Sequence, residues 1–472
     1  MTRDLKGFLG EQAVSSALED RTCYSYDAVT QGYLPDLVVF PENQAHVIRL
    51  MRYAHRRGIP VIPRGAGSGC SGGGVSARGG ILASFERMNR ILSLNRELML
   101  GQVEPGVVTA RFQREAERCG LFYPPDPSSA EISTLGGNVA HGAGGLRGRK
   151  YGTTKDYVVG LEAVVANGQL VRTGLFSPGQ SSDLTGLLVG SEGTLAIITK
   201  MALRLVQRPE SFSAQLFVFP RVGQIIQTAR SILGAGLVPT VMEFIDQRAV
   251  ECVRLQGQAT LPQVDGHILL VELSGRRQEV LSGIEQVERL GREGGALVAR
   301  RAITASDRKK IWSVRRALSP SMAHAAAQKV SQDVCVPPKV LLPLLREIDQ
   351  IGQKYQLLVI TFGHLGDGNL HVNLMSDGSR ELMRQTELAV GDLFRTVLAL
   401  GGTISGEHGV GLTKARYLSW EFSQETMAAH RKIKATFDPK GILNPNKMFG
   451  TSDMSASPDL EGKNPSGNRA KE

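Results

Sequence analysis

The feature that most constrains this chain is where its glycines fall. There are 54 of them in 472 residues, and many stand in three dense clusters in the first half. The first cluster is Pro63-Arg64-Gly65-Ala66-Gly67-Ser68-Gly69-Cys70-Ser71-Gly72-Gly73-Gly74. The second joins Thr134-Leu135-Gly136-Gly137-Asn138-Val139-Ala140 to Gly142-Ala143-Gly144-Gly145; Tyr123-Pro124-Pro125-Asp126-Pro127-Ser128-Ser129 precedes it and Lys150-Tyr151-Gly152 follows. The third is Gly190-Ser191-Glu192-Gly193-Thr194-Leu195. Glycines let consecutive backbone N–H groups turn into one concave space, which suits a pyrophosphate. Taken alone, the first cluster reads equally as a flexible linker. Three clusters on one half imply a long ligand held largely by backbone. The first cluster follows a strand but opens no long helix, which argues against a Rossmann GxGxxG, and it lacks the GK[ST] of a Walker loop.

Periodicity around these clusters predicts strands alternating with helices. LVVF at 37–40 reads as a buried strand. Pro41 and Glu42 open a helix through about Arg57, closed by Gly58. Strands follow at 59–63 and 81–85, a helix at 108–120, a hairpin over 157–171 turning on Asn167-Gly168, and a strand at 194–206. Pro209 lies near a boundary. Beyond it the pattern changes. Strands are expected at 213–219, 240–245, 267–273, 297–302, 330–336, 357–363 and 370–375. Amphipathic helices fall between most of them, at about 222–234, 276–292, 306–326, 337–354 and 379–400. This is an α+β arrangement, an antiparallel sheet covered by helices. The stretch 451–472 is rich in Ser, Pro, Gly, Asn and charge and reads as a disordered tail.

The size suggests more than one domain. The net charge of +10 reads as a solvated basic surface or as attraction for an anionic substrate or cofactor. Lys and Arg are spread along the chain and not blocked, which argues against nucleic acid. The five cysteines, Cys23, Cys70, Cys119, Cys252 and Cys335, are never clustered, so no CxxC zinc or iron–sulfur motif exists. The opening MTRDLKGFLGEQ has no apolar run of signal-peptide length, and no stretch approaches a membrane span of about 20 apolar residues. A cytoplasmic protein is expected, with docking on the inner face of a membrane compatible.

The three glycine clusters together resemble the FAD domain of the vanillyl-alcohol oxidase / p-cresol methylhydroxylase superfamily over about 35–208. The resemblance implies that Pro63, Arg64, Gly65, Ala66, Gly67, Ser68, Gly69 and Ser71 wrap the pyrophosphate. It implies that Pro125, Asp126, Ser128, Gly136, Gly137, Asn138, Gly144, Gly145 and Gly152 line the flavin path, with Glu192, Gly193 and Ile198 near the adenine–ribose end. Members with covalent flavin often carry a histidine where this chain has Ser68. Serine cannot make that bond, so non-covalent FAD is expected.

In the second half, three of the nine histidines fall in two short strings. One is Phe362-Gly363-His364-Leu365-Gly366-Asp367-Gly368-Asn369-Leu370-His371-Val372-Asn373, the other Ser405-Gly406-Glu407-His408-Gly409-Val410-Gly411. The first reads as strand, glycine turn, strand. His364 and His371 can then face each other at cross-strand distance, roughly 4.5–5.5 Å between Cβ atoms, which suits one divalent metal, with Glu407 able to add an oxygen. Such a pair is also often purely structural. Neighbouring side chains of an extended stretch point to opposite sides, so Glu407 and His408 can do different jobs.

These strings resemble the C-terminal domain of the D-lactate dehydrogenase / D-2-hydroxyglutarate dehydrogenase / glycolate oxidase flavin-subunit branch, over about 209–449. The resemblance implies His364, His371 and Glu407 as ligands of zinc, iron or manganese and His408 as the base. It places Asn373 on the substrate and, in Trp312-Ser313-Val314-Arg315, an arginine on the substrate carboxylate. Arg316 is the neighbour that competes for that role, and Lys329 assists. The segment 437–450 resembles a return strand that brings Asn444 to the flavin. The expected organisation is therefore an N-terminal helical segment (1–34), an FAD-binding domain of the p-cresol methylhydroxylase type (35–208), a cap domain (209–436) and the return segment.

The expected function is oxidation of a small 2-hydroxy acid. Arg315 pairs with the carboxylate, the metal lowers the hydroxyl pKa, and His408 takes a proton from the hydroxyl or, in the other order, from the α-carbon. No NAD fingerprint and no cysteine cluster offers an onward route for electrons. The acceptor is then a quinone, oxygen or a partner protein: an electron-transfer flavoprotein, a cytochrome or companion subunits. Oxidation of a phenolic alcohol and a non-catalytic flavin subunit are the competing functions.

Overall fold

A computed structural model describes residues 1–28, 32–177, 179, 183–257, 259 and 261–449. The expected tail at 451–472 lies outside the described residues. The first half holds two main sheets. In one, Ile81–Ser84 lies between Leu37–Val39 and Val61–Arg64 and runs parallel to both, while Val14–Ser15 adds antiparallel at the edge. The segment before residue 35 is thus not only helical: Thr2–Leu9 and Leu18–Cys23 flank a strand of the sheet. The second sheet is antiparallel, in the order Ile91–Asn95, Leu100–Val103, Ile197–Arg204, Val158–Val164, Leu170–Arg172. The expected hairpin is there, with Gly168 at φ 79° in its turn.

Two expectations needed adjustment. The helix expected from Pro41 begins at Gln44, because the Asn43 side chain accepts from the His46 N–H and caps it there. The strands Ile91–Asn95 and Leu100–Val103 were not foreseen; both are short, and the first has no fully buried residue.

The second half is built on a seven-stranded, wholly antiparallel sheet. Its order is Val298–Ala302, Ser211–Phe219, His267–Gly275, Val241–Ile245, Leu358–His364, Asn369–Ser376, Gln328–Cys335. Successive side chains alternate between its faces, and both faces are covered. Phe217, Phe219, Leu269, Val271 and Val372 meet the helices Val222–Gly234, Arg277–Glu293, Leu341–Lys354 and Arg380–Ala399. Leu216, Ile268, Ile245 and Phe362 meet Ala305–Ala323 and a helix not anticipated, Gln247–Leu255, which Asp246 caps by accepting from the Ala249 N–H. Double coverage explains why strands such as HILLVELSG read as near-continuous apolar runs.

After the helix Gln424–Phe437 the chain returns to the first half. Leu443 bridges Val61, and Ile442 and Leu443 are buried with Val61 and Ile81. No helix among the described residues is long and apolar enough to cross a membrane.

Candidate active site

A long cavity is lined by residues of both halves. Pro63 through Gly69, Ser128, Gly136, Gly137, Asn138, Gly144, Glu192, Gly193 and Ile198 line it, together with Glu407 and His408 of the second half. A Cβ built on Gly144 would stand 2.6 Å from Glu407 Oε2, so the bare glycine lets cradle and histidine loop meet.

The remaining cradle residues stand behind the wall. The Ser71 carbonyl accepts from the Leu412 N–H at 2.7 Å, and the Pro125 carbonyl from Gln113 Nε2 at 2.8 Å. Asp126 pairs with Arg147, Gly145 packs on the Asp126 carbonyl, and Gly152 packs on Asp156. Asn444 donates to the carbonyls of Gly73 and Glu192 at 2.9 and 2.7 Å, locking two walls of the cavity. Glu192, expected at the adenine–ribose end, accepts from the N–H groups of Val410 (2.6 Å) and Gly411 (2.8 Å), beside the histidine loop.

The strands Leu358–His364 and Asn369–Ser376 pair so that His371 faces Phe362 and His364 faces Asn369. The two histidines are therefore diagonal neighbours on one face, not direct partners, with ring centroids 5.3 Å apart. Glu407 Oε1 lies 3.4 Å from His364 Nε2 and 3.5 Å from His371 Nε2. Those spacings are long for hydrogen bonds. Bonds of about 2.0–2.2 Å at a tetrahedral angle set neighbouring donor atoms roughly 3.3–3.6 Å apart, so the three side chains can hold one divalent cation. Burial drives the His371 pKa down to about 3, which leaves its ring neutral as a ligand must be. Burial opposes ionisation of Glu407 too, but His364 and its neighbours outweigh it and lower the pKa to about 2. Burial likewise opposes a charged His364, yet Glu243 and Glu407 raise its pKa well above the ordinary value. Two carboxylates around one ring favour a positive charge there, whether proton or metal.

His408 stacks on His371 with centroids 5.1 Å apart and opens into the cavity with 24% of its side chain exposed. Its loop is held from below by Asp333, a fully buried carboxylate. Asp333 Oδ2 accepts from the backbone N–H groups of Glu407 and His408, both at 2.8 Å, and Oδ1 from Asn369 Nδ2 at 2.6 Å. Lys414 Nζ donates to its carbonyl at 2.8 Å. Asp333, His371 and His408 also satisfy the spacing of a metal trio, but the hydrogen bonds already on Asp333 make it a hub. Gly406 is required beneath it: a Cβ there would stand 1.9 Å from Asn369 Nδ2.

The structure separates the two neighbouring arginines. Arg316 is exposed and donates to the Lys309 carbonyl. Arg315 is buried, lies over the Phe362 ring at 4.7 Å and donates through Nε to Glu243 Oε2 at 2.7 Å. Arg308, Trp312 and Arg315 share one face of their helix, and Trp312 Nε1 donates to the buried Glu272 at 2.8 Å. Lys329 is half-buried, two and four residues before Ser331 and Asp333, on the face that carries Asn373 and His371. Asn373 is buried and donates to the Ile360 and His371 carbonyls.

Sequence reasoning passed over Glu243, Asp333, Lys414, Asp27 and His141. His141 and Asp27 line the cavity, and Asp27 accepts from the Gly72 N–H at 2.8 Å. The signal for Glu243 was present: it is a lone acid inside the apolar strand Val241–Ile245, a position charges avoid unless partnered. Asp333 stands in the mostly polar strand Gln328–Cys335, where an acid draws no notice.

Comparison with known proteins agrees with this architecture. Residues 208–448 match the family model described as FAD linked oxidases, C-terminal domain, and residues 35–174 match the FAD binding domain. The chain belongs to the FAD-linked oxidase family and is an FAD-dependent oxidoreductase. It is 38% identical to glycolate oxidase subunit GlcD of Bacillus subtilis, covering 95% of this chain and 97% of that one. It is 33% identical to a D-lactate dehydrogenase of Anaerostipes hadrus (88% and 89% covered) and 32% identical to a D-2-hydroxyglutarate dehydrogenase of Stutzerimonas stutzeri (88% and 91%). In fold it resembles p-cresol methylhydroxylase, with a TM-score of 0.77 at 16% identity over 95% of this chain and 96% of the other.

The Asp333 hub is testable. Asp333→Asn keeps the shape but removes the charge that two backbone donors share. Exchange of the Glu407 and His408 amide hydrogens should quicken about tenfold or more, the loss of a charge-assisted bond being worth roughly 1.5–3 kcal/mol. Unchanged exchange at both would show that the loop is held by something else.

Proposed function

We propose that this chain is a dehydrogenase that oxidises a small 2-hydroxy acid, D-lactate or glycolate, to the 2-oxo acid and passes the electrons to a protein or quinone acceptor. The observation that carries this reading is the cluster of His364, His371 and Glu407, tied to buried Arg315 through Glu243 and to His408 by stacking, with Glu407 and His408 lining the cavity. Such a site matches a chelating hydroxy acid. A simple phenol has no carboxylate for the arginine and only one oxygen for the cation, so it cannot chelate. The names of the relatives point to the same substrate class.

FAD supplies a two-electron acceptor when bound, and His364, His371 and Glu407 would hold a zinc, iron or manganese ion that would supply Lewis acidity. The chain does the rest. Arg315 presents its two Nη groups, which make no hydrogen bond among the described residues, for a bidentate pair with the substrate carboxylate. Asn373 and Lys329 stand on the same face to fix the remainder. His408 removes the proton, and its accessible ring, stacked on His371, is placed for that. Lys329 is also the cation that a second carboxylate would meet, which is the feature favouring D-2-hydroxyglutarate as the alternative substrate. A flavin subunit without catalysis would have no need for His408 to open into the cavity. Electrons leave to an electron-transfer flavoprotein, a cytochrome or companion subunits.

FAD is held without a covalent bond, Ser68 standing where a bonding histidine would be. Acid precipitation should release the yellow chromophore to the supernatant; flavin kept in the pellet would contradict this. His408→Ala should retain FAD yet lose substrate reduction in single turnover by about 10²-fold or more. Unchanged reduction would remove His408 from the role of base.

A further inference from the structure

We infer that Glu243 is a positioning residue that couples the metal site to the substrate-carboxylate site through its two oxygens. The inference rests on the roles proposed above for His364 and Arg315. Glu243 lies in the strand Val241–Ile245, fully buried, in register with His364 on the neighbouring strand. Oε1 is hydrogen-bonded to His364 Nδ1, and Oε2 accepts from Arg315 Nε at 2.7 Å. One rigid carboxylate, accepting through both oxygens, therefore sets where both groups stand.

Each contact has a chemical consequence. A histidine that donates Nδ1–H to a carboxylate is fixed in one tautomer, and its Nε2 lone pair is aimed away from that carboxylate. For His364 that direction is toward Glu407 and His371. An arginine engaged through Nε alone keeps its opposite edge, Nη1 and Nη2, for a second planar anion. Arg315 is held from beneath by Phe362 as well, so the guanidinium plane is constrained from two directions. The carboxylate and the hydroxyl of a 2-hydroxy acid sit on adjacent carbons. They must reach the arginine and the cation at once, and an error in the separation of those two sites weakens both. Glu243 is hydrogen-bonded to both sides. An isolated carboxylate at this depth costs several kcal/mol unless partnered, which makes a merely space-filling role a poor account of its presence in a strand otherwise apolar.

Glu243→Gln is the discriminating change. The amide keeps the volume but offers one acceptor and one NH₂. It can satisfy His364 Nδ1–H or Arg315 Nε–H, and it confronts the other with a donor. The FAD-loaded protein is stripped of metal with a chelator and titrated with Zn²⁺ against a chromophoric competitor, and KM and kcat for D-lactate and glycolate are measured in parallel. E243Q should weaken Zn²⁺ binding by roughly 10- to 100-fold, the usual effect of removing a partner of a metal-bound histidine. KM should rise roughly tenfold and further than kcat falls. His364→Ala is the reference. If it loses Zn²⁺ while E243Q binds Zn²⁺ and substrate as the unaltered protein does, Glu243 is a structural acid only and the inference is wrong, with the metal site intact. If H364A also keeps full Zn²⁺ affinity, the metal assignment itself is wrong and takes the inference with it. Should E243Q not fold, Glu243→Asp serves: one methylene shorter, it cannot span both partners. Either Zn²⁺ affinity or KM must then change by about tenfold, and wild-type values for both would overturn the inference.

Discussion

The structure depends on one constraint: buried carboxylates in an apolar sheet must be matched by nearby positive or hydrogen-bonding groups. Glu272, Glu243 and Asp333 stand on strands of the seven-stranded sheet, and each is almost or fully inaccessible to water. Burial alone would push each of them toward the neutral acid. Glu272 follows that tendency despite Trp312 and Arg308, its pKa raised. Glu243 and Asp333 go the other way, because His364 and Arg315 surround the first, and His408, Lys414 and His371 the second. The charges of the site are thus a consequence of how the sheet balances its own acids. The same balancing fixes the histidines, the arginine and the loop that carries His408.

The second dependence is between the halves. The cavity is complete only where glycine-rich backbone from the first half meets the loop 405–411 from the second. Gly144 allows Glu407 to approach, Glu192 holds Val410 and Gly411, and Asn444, arriving from the end of the described chain, ties Gly73 to Glu192. The residues that would face a flavin and those that would face a substrate therefore share hydrogen bonds. Changes in either half should be felt at the other, since groups in one network do not act additively.

Much of this was legible in the sequence, for identifiable reasons. Strands such as Ser211–Phe219, His267–Gly275 and Asn369–Ser376 are long, buried and bounded by clear helices, so their positions followed from apolar patterning. The glycine clusters and the two histidine strings announced a long ligand and a polar centre because such residues have few other uses at that density. What stayed hidden was relational. Which of Arg315 and Arg316 turns inward depends on helix phase against the sheet. That His364 and His371 meet diagonally depends on register, which one residue of slip would have reversed. Glu243 was visible only as an odd acid in an apolar strand, and Asp333 as one polar residue among several; their partners lie between 36 and 121 residues away in sequence, and only the folded sheet brings them together. The helix Gln424–Phe437 was missed because it buries little, Met427 being its one buried residue.

The central claim is that the site acts on a chelating 2-hydroxy acid at the FAD cavity. The most direct measurement is anaerobic bleaching of the flavin by D-lactate, glycolate, D-2-hydroxyglutarate and a simple phenol, each with and without prior chelator treatment. Bleaching by one or more of the hydroxy acids, lost on chelation and absent with the phenol, is the result this account predicts. Bleaching by the phenol, or reduction by hydroxy acids that chelation leaves untouched, would contradict it.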